Sequence, residues 1–305
     1  MVTQPAVSLG LPVYNGERYL SSALAALLNQ EFEDFELIIC DNASTDRTEE
    51  ICLSYASKDS RIRYFRNATN IGLAANHNRT FELSQGALFK WVAHDDDFPR
   101  AMLRRMVDVF ANAPRSVSLV YSRCEYIDEL GNVQEVDSDG VDKEDPWPHR
   151  RLAHFLRHVH MYNSVYGMIR ADVLRRTRLH GLFPMSDHVL LAELAMLGTF
   201  LEITEPLLRI RRHPGRTFTA NKTPIALRDL FSPGQTQRAP LISIKTRVQL
   251  ELVRSATRVP TNRRDKMLCT AVAIAKPQLE TFRSFVGRYR RKLLRTHSQL
   301  SDKRS

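Results

Sequence analysis

The chain has 305 residues, of which 43% are hydrophobic and 26% charged, and it carries a formal net charge of +10 at pH 7. This composition is typical of a folded globular protein with one large domain and an appendage, or two small domains, and excludes a disordered chain. The four cysteines form no CxxC pair, so we expect reduced thiols rather than disulfides or a metal site. We predict no secretory signal and no membrane-spanning segment.

The first part of the chain alternates apolar, strand-like runs with segments of helical spacing. The predicted elements are, in order, strand 6–15, helix 19–30, a strand within 35–45, helix 46–57, strand 62–66, helix 73–83, strand 88–93 and helix 100–111. Strands that alternate with helices of about this length indicate βαβ units and a mainly parallel sheet. Right-handed crossovers then bring the carboxyl ends of these strands to one edge.

From about residue 117 the pattern changes. The predicted elements are strands 118–128 and 132–136, an acidic loop to residue 148, helix 151–160, a strand running into a helix within 166–177, helix 187–197, and two short strands, 200–203 and 207–210. A polar loop follows, and basic amphipathic helices are predicted at 242–258 and 263–276.

Polar clusters follow three of the predicted strands: PVYNGE from Pro12, DNASTD from Asp41 and HDDD from His94. In open α/β sheets, ligands bind outside the carboxyl ends of the strands. The clusters are therefore expected to converge on one crevice.

The run of three aspartates, Asp95, Asp96 and Asp97, has three possible uses: chelating a hard divalent cation, acting as an acid–base pair, or capping the next helix. Mg²⁺ and Mn²⁺ are often held by one or two carboxylates together with substrate phosphates. A helix cap needs one carboxylate, so three of them favour a metal. Asp41 can accept a hydrogen bond from a base or a ribose hydroxyl, or can form an Asx-turn or a helix cap; local sequence favours neither.

Together these stretches resemble the family 2 glycosyltransferases. The similar segments, in the family's order and spacing, are PVYNGERYL (12–20), LIICDNASTD (37–46), NIGLAANHN (70–78) and WVAHDDDF (91–98), followed by SDHVLLAEL (186–194) and RRHPG (211–215). The resemblance covers about residues 5–215. It implies a GT-A fold, an α/β doubly wound and mainly parallel sheet with helices on both faces, to which we add a basic helical extension at the carboxyl terminus.

The resemblance also implies a domain division and residue roles. Residues 1–220 would form the transferase domain, with a nucleotide-sugar half to about 123 and an acceptor half from about 124, and 221–305 the extension. The nucleobase pocket would contain Pro12, Tyr14, Glu17 and Asp41. The loop and helix beside the ribose and pyrophosphate would be shaped by Asn70, Gly72 and Asn78. The remaining roles are Asp95 toward the ribose and sugar, Asp96, Asp97 and His213 at the metal, and Asp187 as the catalytic base.

Two positions depart from the family's pattern. The base motif usually reads Glu-Asp, whereas here it is Ser186-Asp187, and His77 stands where an arginine is common. The implied reaction is an inverting single displacement, of hexosyltransferase type. Mn²⁺ or Mg²⁺ would offset charge on the leaving nucleoside diphosphate, and Asp187 would take the proton of the acceptor hydroxyl.

The expected partners are a nucleotide-sugar donor, UDP- or dTDP-linked, and a glycan or lipid-linked acceptor in glycoconjugate synthesis, with no nucleic acid. The basic stretch RSFVGRYRRKLLR (283–295) indicates contact with an anionic membrane, which would locate the protein in the cytoplasm or on the inner face of the membrane. The alternatives are a metal-dependent nucleotidyltransferase on a similar fold, and a non-catalytic protein that binds membranes or nucleic acid through its basic tail.

Overall fold

The computed structural model describes residues 4–215, 223–233 and 242–275. Its strands are β1 Val7–Val13, β2 Phe35–Asp41, β3 Ile62–Arg66, β4 Leu88–Trp91, β5 Val117–Ile127, β6 Val133–Asp137, β7 Met168–Arg170 and β8 Thr199–Arg211. Its helices are α1 Leu20–Leu28, α2 Thr48–Ala56, α3 Leu73–Glu82, α4 Met102–Asn112, α5 Pro148–His158, α6 Ala171–Leu174, α7 Ser186–Leu197, α8 Pro224–Phe231, α9 Ile244–Arg258 and α10 Arg263–Ile274, with a 3₁₀ helix at Asn163–Tyr166.

The strands form one mixed sheet in the order β3-β2-β1-β4-β7-β5-β6, and β8 pairs with β5. The pairs β1–β2, β1–β4, β2–β3 and β5–β8 are parallel, whereas β7 is antiparallel to both β4 and β5, and β6 is antiparallel to β5. The expected mainly parallel sheet is confirmed. The carboxyl ends of β1, β2, β4, β5 and β8 therefore lie along the same edge of the sheet.

Helices cover both faces of the sheet. Leu119 and Tyr121 of β5 belong to the hydrophobic cluster that contains Leu190 of α7, whereas Val120 between them belongs to the cluster that contains Met102 of α4. Because successive side chains of a strand point to opposite faces, these two clusters lie on opposite sides of the sheet. The doubly wound architecture implied by the family resemblance is confirmed.

The helices α9 and α10 pack against α5 and α7. Val248, Leu252 and Cys269 are buried in the same cluster as Phe155 of α5 and Leu191 of α7. The division proposed at residue 220 therefore does not separate two hydrophobic cores within the described residues. The basic stretch 283–295 lies outside the described residues, so its predicted membrane contact stays a prediction.

The two short strands predicted at 200–203 and 207–210 are one continuous strand, β8. Pro206 lies where the pairing with β5 shifts register, between Ser122 and Cys124. A proline is tolerated at such a bulge because its missing N–H is not needed there. The sequence pattern was interrupted by the proline, but the pairing continues past it and carries the chain to Arg211.

No helix among the described ranges is long and apolar enough to cross a membrane.

Candidate functional site

A cavity of about 600 Å³ opens at the carboxyl edge of the parallel strands. Its wall is made by the loops that follow β1, β2, β3, β4 and β8, by α3 and α8, by the 3₁₀ helix, and by the beginning of α7. The lining residues that the sequence had singled out are Pro12, Tyr14, Asn70, His77, Asp95, Asp96, Ser186, Asp187 and His213. The three polar clusters predicted to converge on one crevice do so, the second of them through Asn42 alone. Asp187, 91 positions after Asp96 in the chain, reaches the same cavity.

The loop after β4 is tied to the end of β8. The Asp95 carboxylate lies 2.9 Å from His213 Nε2, and the Arg211 backbone N–H donates to Asp96 Oδ1 at 3.1 Å. The guanidinium of Arg211 donates to the Asp95 carbonyl at 3.1 Å. The end of β8 thus fixes both carboxylates in the wall of the cavity. Asp96 is 5% exposed, so it is desolvated as well as fixed.

Asp97 does not reach the cavity, which corrects the metal-ligand role expected for it. Its carboxylate pairs with Arg209 at 3.2 Å, and its backbone exchanges two hydrogen bonds with the same residue, at 2.9 and 3.0 Å. The reason is the isolated antiparallel bridge between Asp97 and Arg209, which holds Asp97 against β8. Asp97 joins β8 to the aspartate loop.

Asp187 is the second residue of α7 and lines the cavity. Its Oδ1 accepts a hydrogen bond from the His188 N–H at 2.9 Å. Burial raises the pKa of the Asp187 carboxyl to about 6, and the negative charge of Asp139 acts in the same direction. Met185, the residue before α7, has a left-handed backbone conformation, φ 66°, which turns the chain sharply into the helix. A carboxylate in this state is a stronger base than an ordinary aspartate and is still ionised at neutral pH.

Gly72 lies at the end of the loop that carries Asn70. Its φ of 89° is a conformation that disfavours other residues. An added Cβ would lie 2.6 Å from the Phe231 carbonyl oxygen of α8, so only glycine fits this approach. Asn70 Oδ1 accepts from the Gly72 N–H and from the Asn42 side chain, at 2.9 and 2.8 Å. Asn70 therefore lines the cavity. Gly72 allows the loop to adopt its backbone conformation and to approach α8 closely.

Besides Gly72, three residues expected at the nucleotide are not in the cavity wall. The buried Asp41 carboxylate accepts hydrogen bonds from Tyr64, Arg66 and the Ser44 N–H. The last of these bonds is the local-turn alternative, so Asp41 stabilises the sheet and its own loop.

The other two, Glu17 and Asn78, also have structural partners. Glu17 accepts from the Arg47 N–H at 3.1 Å. Asn78 exchanges two hydrogen bonds with the backbone of His180, both at 2.9 Å. The nucleotide roles that the resemblance implies for these residues stay predictions, because a motif gives positions in the chain but not the direction of side chains.

Several cavity residues were not predicted as site residues. They are Tyr19, Trp91, His94, Tyr166, His180 and the α8 residues Leu230 and Phe231. His94 was within the quoted aspartate motif and could have been included for that reason. Tyr166, His180 and α8 are brought to the cavity by tertiary packing, for which the local sequence has no signal.

The donor set fits a divalent cation that is shared with a substrate. Asp95, Asp96 and His213 offer carboxylate and imidazole groups on one cavity wall, which suits Mn²⁺ and also Mg²⁺. Within the described residues, no group of three or more His, Cys, Asp or Glu side chains is arranged to hold a metal by itself. A cation at this wall would therefore need further ligands, such as the oxygens of a diphosphate.

Comparison with known proteins gives consistent results. Residues 8–178 match the family model described as Glycosyl transferase family 2. A putative glycosyltransferase of Bacillus subtilis, EpsE, is 35% identical over 133 residues, which are 43% of this chain and 47% of that protein. An uncharacterized glycosyltransferase of Methanocaldococcus jannaschii is 25% identical over 177 residues, covering 57% of this chain and 59% of the relative. The matches thus span less than two thirds of these relatives.

Two solved structures share the fold. TarS 1–349 of S. aureus in complex with UDP-GlcNAc has a TM-score of 0.63 at 16% identity, and the match covers 92% of this chain and 78% of that one. The mannosyltransferase PcManGT of Pyrobaculum calidifontis, in complex with GDP-Man and Mn²⁺, has a TM-score of 0.52 at 16% identity, over 98% and 81% of the two chains. At this level of identity the likeness describes the fold.

Proposed function

The chain belongs to glycosyl transferase family 2, and from this premise we propose that it transfers a sugar from a nucleoside-diphosphate sugar to an acceptor hydroxyl. The observation that carries the proposal is the meeting of Asp187 with Asp95, Asp96 and His213 on one cavity. A partly buried carboxylate of raised pKa that shares a cavity with a donor set for a diphosphate-bound cation is what a sugar transfer requires. Proposed with it are an inverting course and a hexosyl group.

In this proposal Asp187 is the catalytic base. Its carboxylate takes the proton of the acceptor hydroxyl while that oxygen attacks the anomeric carbon and the bond to the diphosphate breaks. One displacement inverts the anomeric configuration, so the acceptor and the leaving group must lie on opposite faces of the sugar. Asp187 and Asp96 come from different parts of the fold, which allows them to act from different sides.

Asp95, Asp96 and His213 would hold Mn²⁺ or Mg²⁺ together with the diphosphate. When bound, such a cation neutralises negative charge that develops on the leaving nucleoside diphosphate. Arg211 keeps the two aspartates in position through its backbone N–H and its guanidinium. Pro12 near the end of β1, Tyr14 in the loop after β1 and Asn70 in the loop after β3 would contact the nucleoside.

The donor and the acceptor are proposed at the level of class. A UDP- or dTDP-sugar is proposed as donor, which agrees with the UDP-GlcNAc complex of TarS. Because PcManGT was solved in complex with GDP-Man, GDP-sugars are also included among the ligands to be tested. A glycan or lipid-linked acceptor is proposed, with the basic carboxyl-terminal stretch in contact with the inner face of a membrane. The halves 1–123 and 124–220 would bind donor and acceptor respectively.

A thermal-shift panel tests this function. Wild-type protein, Asp96→Asn and the control Asp172→Asn, an exposed residue of α6, are mixed with nucleoside diphosphates and nucleotide-sugars with and without Mn²⁺. A ligand at about a hundred times its dissociation constant stabilises a protein by roughly 2.7 kcal/mol. We expect a Mn²⁺-dependent rise in Tm for wild type and for Asp172→Asn, and none for Asp96→Asn. If no nucleotide raises the Tm of the wild type, the proposed function is wrong.

A further inference from the structure

His77 lies on α3 and lines the cavity, and its ring is held in place by its neighbours. Its Nδ1 is 2.8 Å from the Leu73 carbonyl oxygen, one helical turn earlier. The Trp91 indole N–H donates to the His77 carbonyl at 3.0 Å, and the ring of His180 packs edge-on at 5.3 Å. Because Asn78 bonds the backbone of His180 twice, this packing is itself fixed.

These contacts determine which nitrogen of His77 carries the proton. A carbonyl oxygen can only accept a hydrogen bond, so Nδ1 must be the protonated nitrogen in the contact with Leu73. Burial lowers the pKa of the His77 imidazole to about 4, so the ring is neutral at pH 7. A neutral imidazole has one N–H, which leaves Nε2 as a hydrogen-bond acceptor.

That acceptor has no donor within the protein. Among the described residues, no hydrogen bond reaches His77 Nε2, and this atom is not one of the enclosed polar atoms without a partner. The residue is partly exposed and belongs to the cavity wall. Nδ1 contacts the Leu73 carbonyl oxygen and the ring packs against His180. Nε2 is therefore the atom of His77 that can bind a ligand.

We propose that His77 is a specificity-determining residue of the donor site, whose Nε2 accepts a hydrogen bond from an O–H or N–H group of the nucleoside. The inference rests on the proposed function and deepens it, because it states which part of the nucleotide lies on α3. A ribose hydroxyl and the imide N–H of a uracil or thymine base share this chemistry.

The same lone pair excludes a phosphate at this position. A phosphate oxygen is a negatively charged hydrogen-bond acceptor. It cannot form a hydrogen bond with the unprotonated nitrogen of a neutral imidazole, which is also an acceptor. An arginine, which the resemblance would expect here, offers the opposite: five donors and a positive charge. The diphosphate should therefore lie on the side of the cavity that carries Asp95, Asp96 and His213.

The test is calorimetric titration with UDP and Mn²⁺, which measures binding without turnover. In His77→Asn the amide can still donate to the Leu73 carbonyl, but the side chain has no atom at the position of Nε2. In His77→Gln an amide oxygen can take the place of Nε2. The control is His158→Asn, because His158 Nδ1 makes the same contact, 2.9 Å from the His154 carbonyl, on the exposed surface of α5.

We expect His77→Asn to weaken UDP binding about 10-fold, the equivalent of one hydrogen bond, while His77→Gln recovers part of the loss and His158→Asn has no effect. Of 2′-deoxy-UDP, 3′-deoxy-UDP and N3-methyl-UDP, the analogue that lacks the recognised donor should weaken binding to the wild type by a similar factor. His77→Asn should bind this analogue with the same affinity as UDP, because the hydrogen bond is already absent. This analogue also distinguishes ribose from base.

Equal affinity of wild type and His77→Asn for UDP would overturn the inference and leave the proposed function intact. The inference is also overturned if every analogue that binds the wild type more weakly loses the same factor in His77→Asn, because His77 then does not contact the altered group. A wild type that binds none of UDP, dTDP and GDP contradicts the proposed function and this inference together.

Discussion

Two carboxylates lie six positions apart on α7, one fully buried and one partly buried, and their surroundings are opposite. Glu193 is fully buried and accepts hydrogen bonds from Ser255 Oγ at 2.6 Å, from the Arg258 guanidinium at 2.7 and 2.8 Å, and from the Arg178 N–H at 2.9 Å. Asp187 faces the cavity, and its one hydrogen bond from another described residue comes from the His188 N–H. The first carboxylate is neutralised by the fold, and the second is not.

The difference shows how one helix serves stability and chemistry. The cations around Glu193 come from α9 and from the segment before α7, so its charge fixes the carboxyl-terminal helices to the core. The charge of Asp187 has no such compensation, and burial raises its pKa to about 6. Uncompensated buried charge costs stability, and such cost is typical of functional sites. The two positions should therefore respond to substitution in opposite ways.

The largest effect is expected on catalysis at Asp187. Asp187→Asn keeps the shape of the side chain but removes the base, and loss of general-base catalysis slows a reaction by about 10²–10⁴-fold. Single-turnover transfer from the donor sugar at pH 7.5 measures this rate, with Asp172→Asn as control. Calorimetry should give an unchanged donor affinity. A variant that transfers at the wild-type rate would remove Asp187 from the mechanism.

The next effect is on the stability of Glu193→Gln. The substitution leaves the Arg258 guanidinium without its buried counter-charge, while Arg178 keeps Glu251 as a partner. Breaking a buried ion pair costs up to about 3–5 kcal/mol. Arg258 is 45% exposed and can turn toward water, so we expect about 2–3 kcal/mol of destabilisation in urea unfolding. Glu129→Gln, which breaks the surface pair with Arg18, is the control and should cost less than about 1 kcal/mol. Equal losses would mean that burial of the Glu193 pairs is unimportant.

A third effect has the opposite sign. The folded state holds the Asp187 proton more tightly than the unfolded state, because the pKa is about 6 rather than 3.8. The ionised carboxylate therefore destabilises the fold above pH 6, by roughly 3 kcal/mol. Asp187→Asn should be more stable than wild type at pH 7.5, and the difference should disappear as the pH falls from 6 toward 4. Unfolding curves across this range would contradict the burial argument if the variant were less stable at pH 7.5.

The smallest effect is expected at Asp97. Its partly exposed pair with Arg209 predicts that Asp97→Asn costs less than about 1 kcal/mol. The Mn²⁺-dependent thermal shift with nucleotide should persist in this variant, in contrast to Asp96→Asn. Loss of the metal response in Asp97→Asn would restore the ligand role that the sequence had indicated.

The sequence predicted what depends on periodicity and order along the chain. The strand Ile62–Arg66 was predicted without error, and the bounds of most other elements within a few residues, because apolar runs and helical spacing determine them. The convergence of Asp41, Asp96 and their loops at one edge followed from the parallel sheet. Side-chain direction did not follow, since Asp41 turns toward Tyr64 and Arg66 on β3 rather than toward the cavity.

Contacts between segments that are far apart in the chain could not be predicted from the sequence either. The position of Asp187 beside the aspartate loop was implied by the family resemblance and not by spacing. The contribution of α8 to the cavity wall, and the packing of α9 on α7, depend on tertiary contacts that have no local pattern. The contact between Asp41 and Arg66 is the exception. The two residues lie opposite each other in the β2–β3 pair, so aligning the two predicted strands could have suggested this contact.

The most direct test of the central claim, that Asp187 is the base of a glycosyl transfer at this cavity, is the pH dependence of kcat/KM. The rate of nucleoside diphosphate release from the donor sugar would be measured from pH 4.5 to 8.5 for wild type and for Asp187→Asn. A base with a pKa of about 6 predicts a wild-type rate that rises tenfold per pH unit below 6 and levels off above it, with no such rise in the variant. A wild-type rate that is flat across this range, or a variant with the same profile, would contradict the claim.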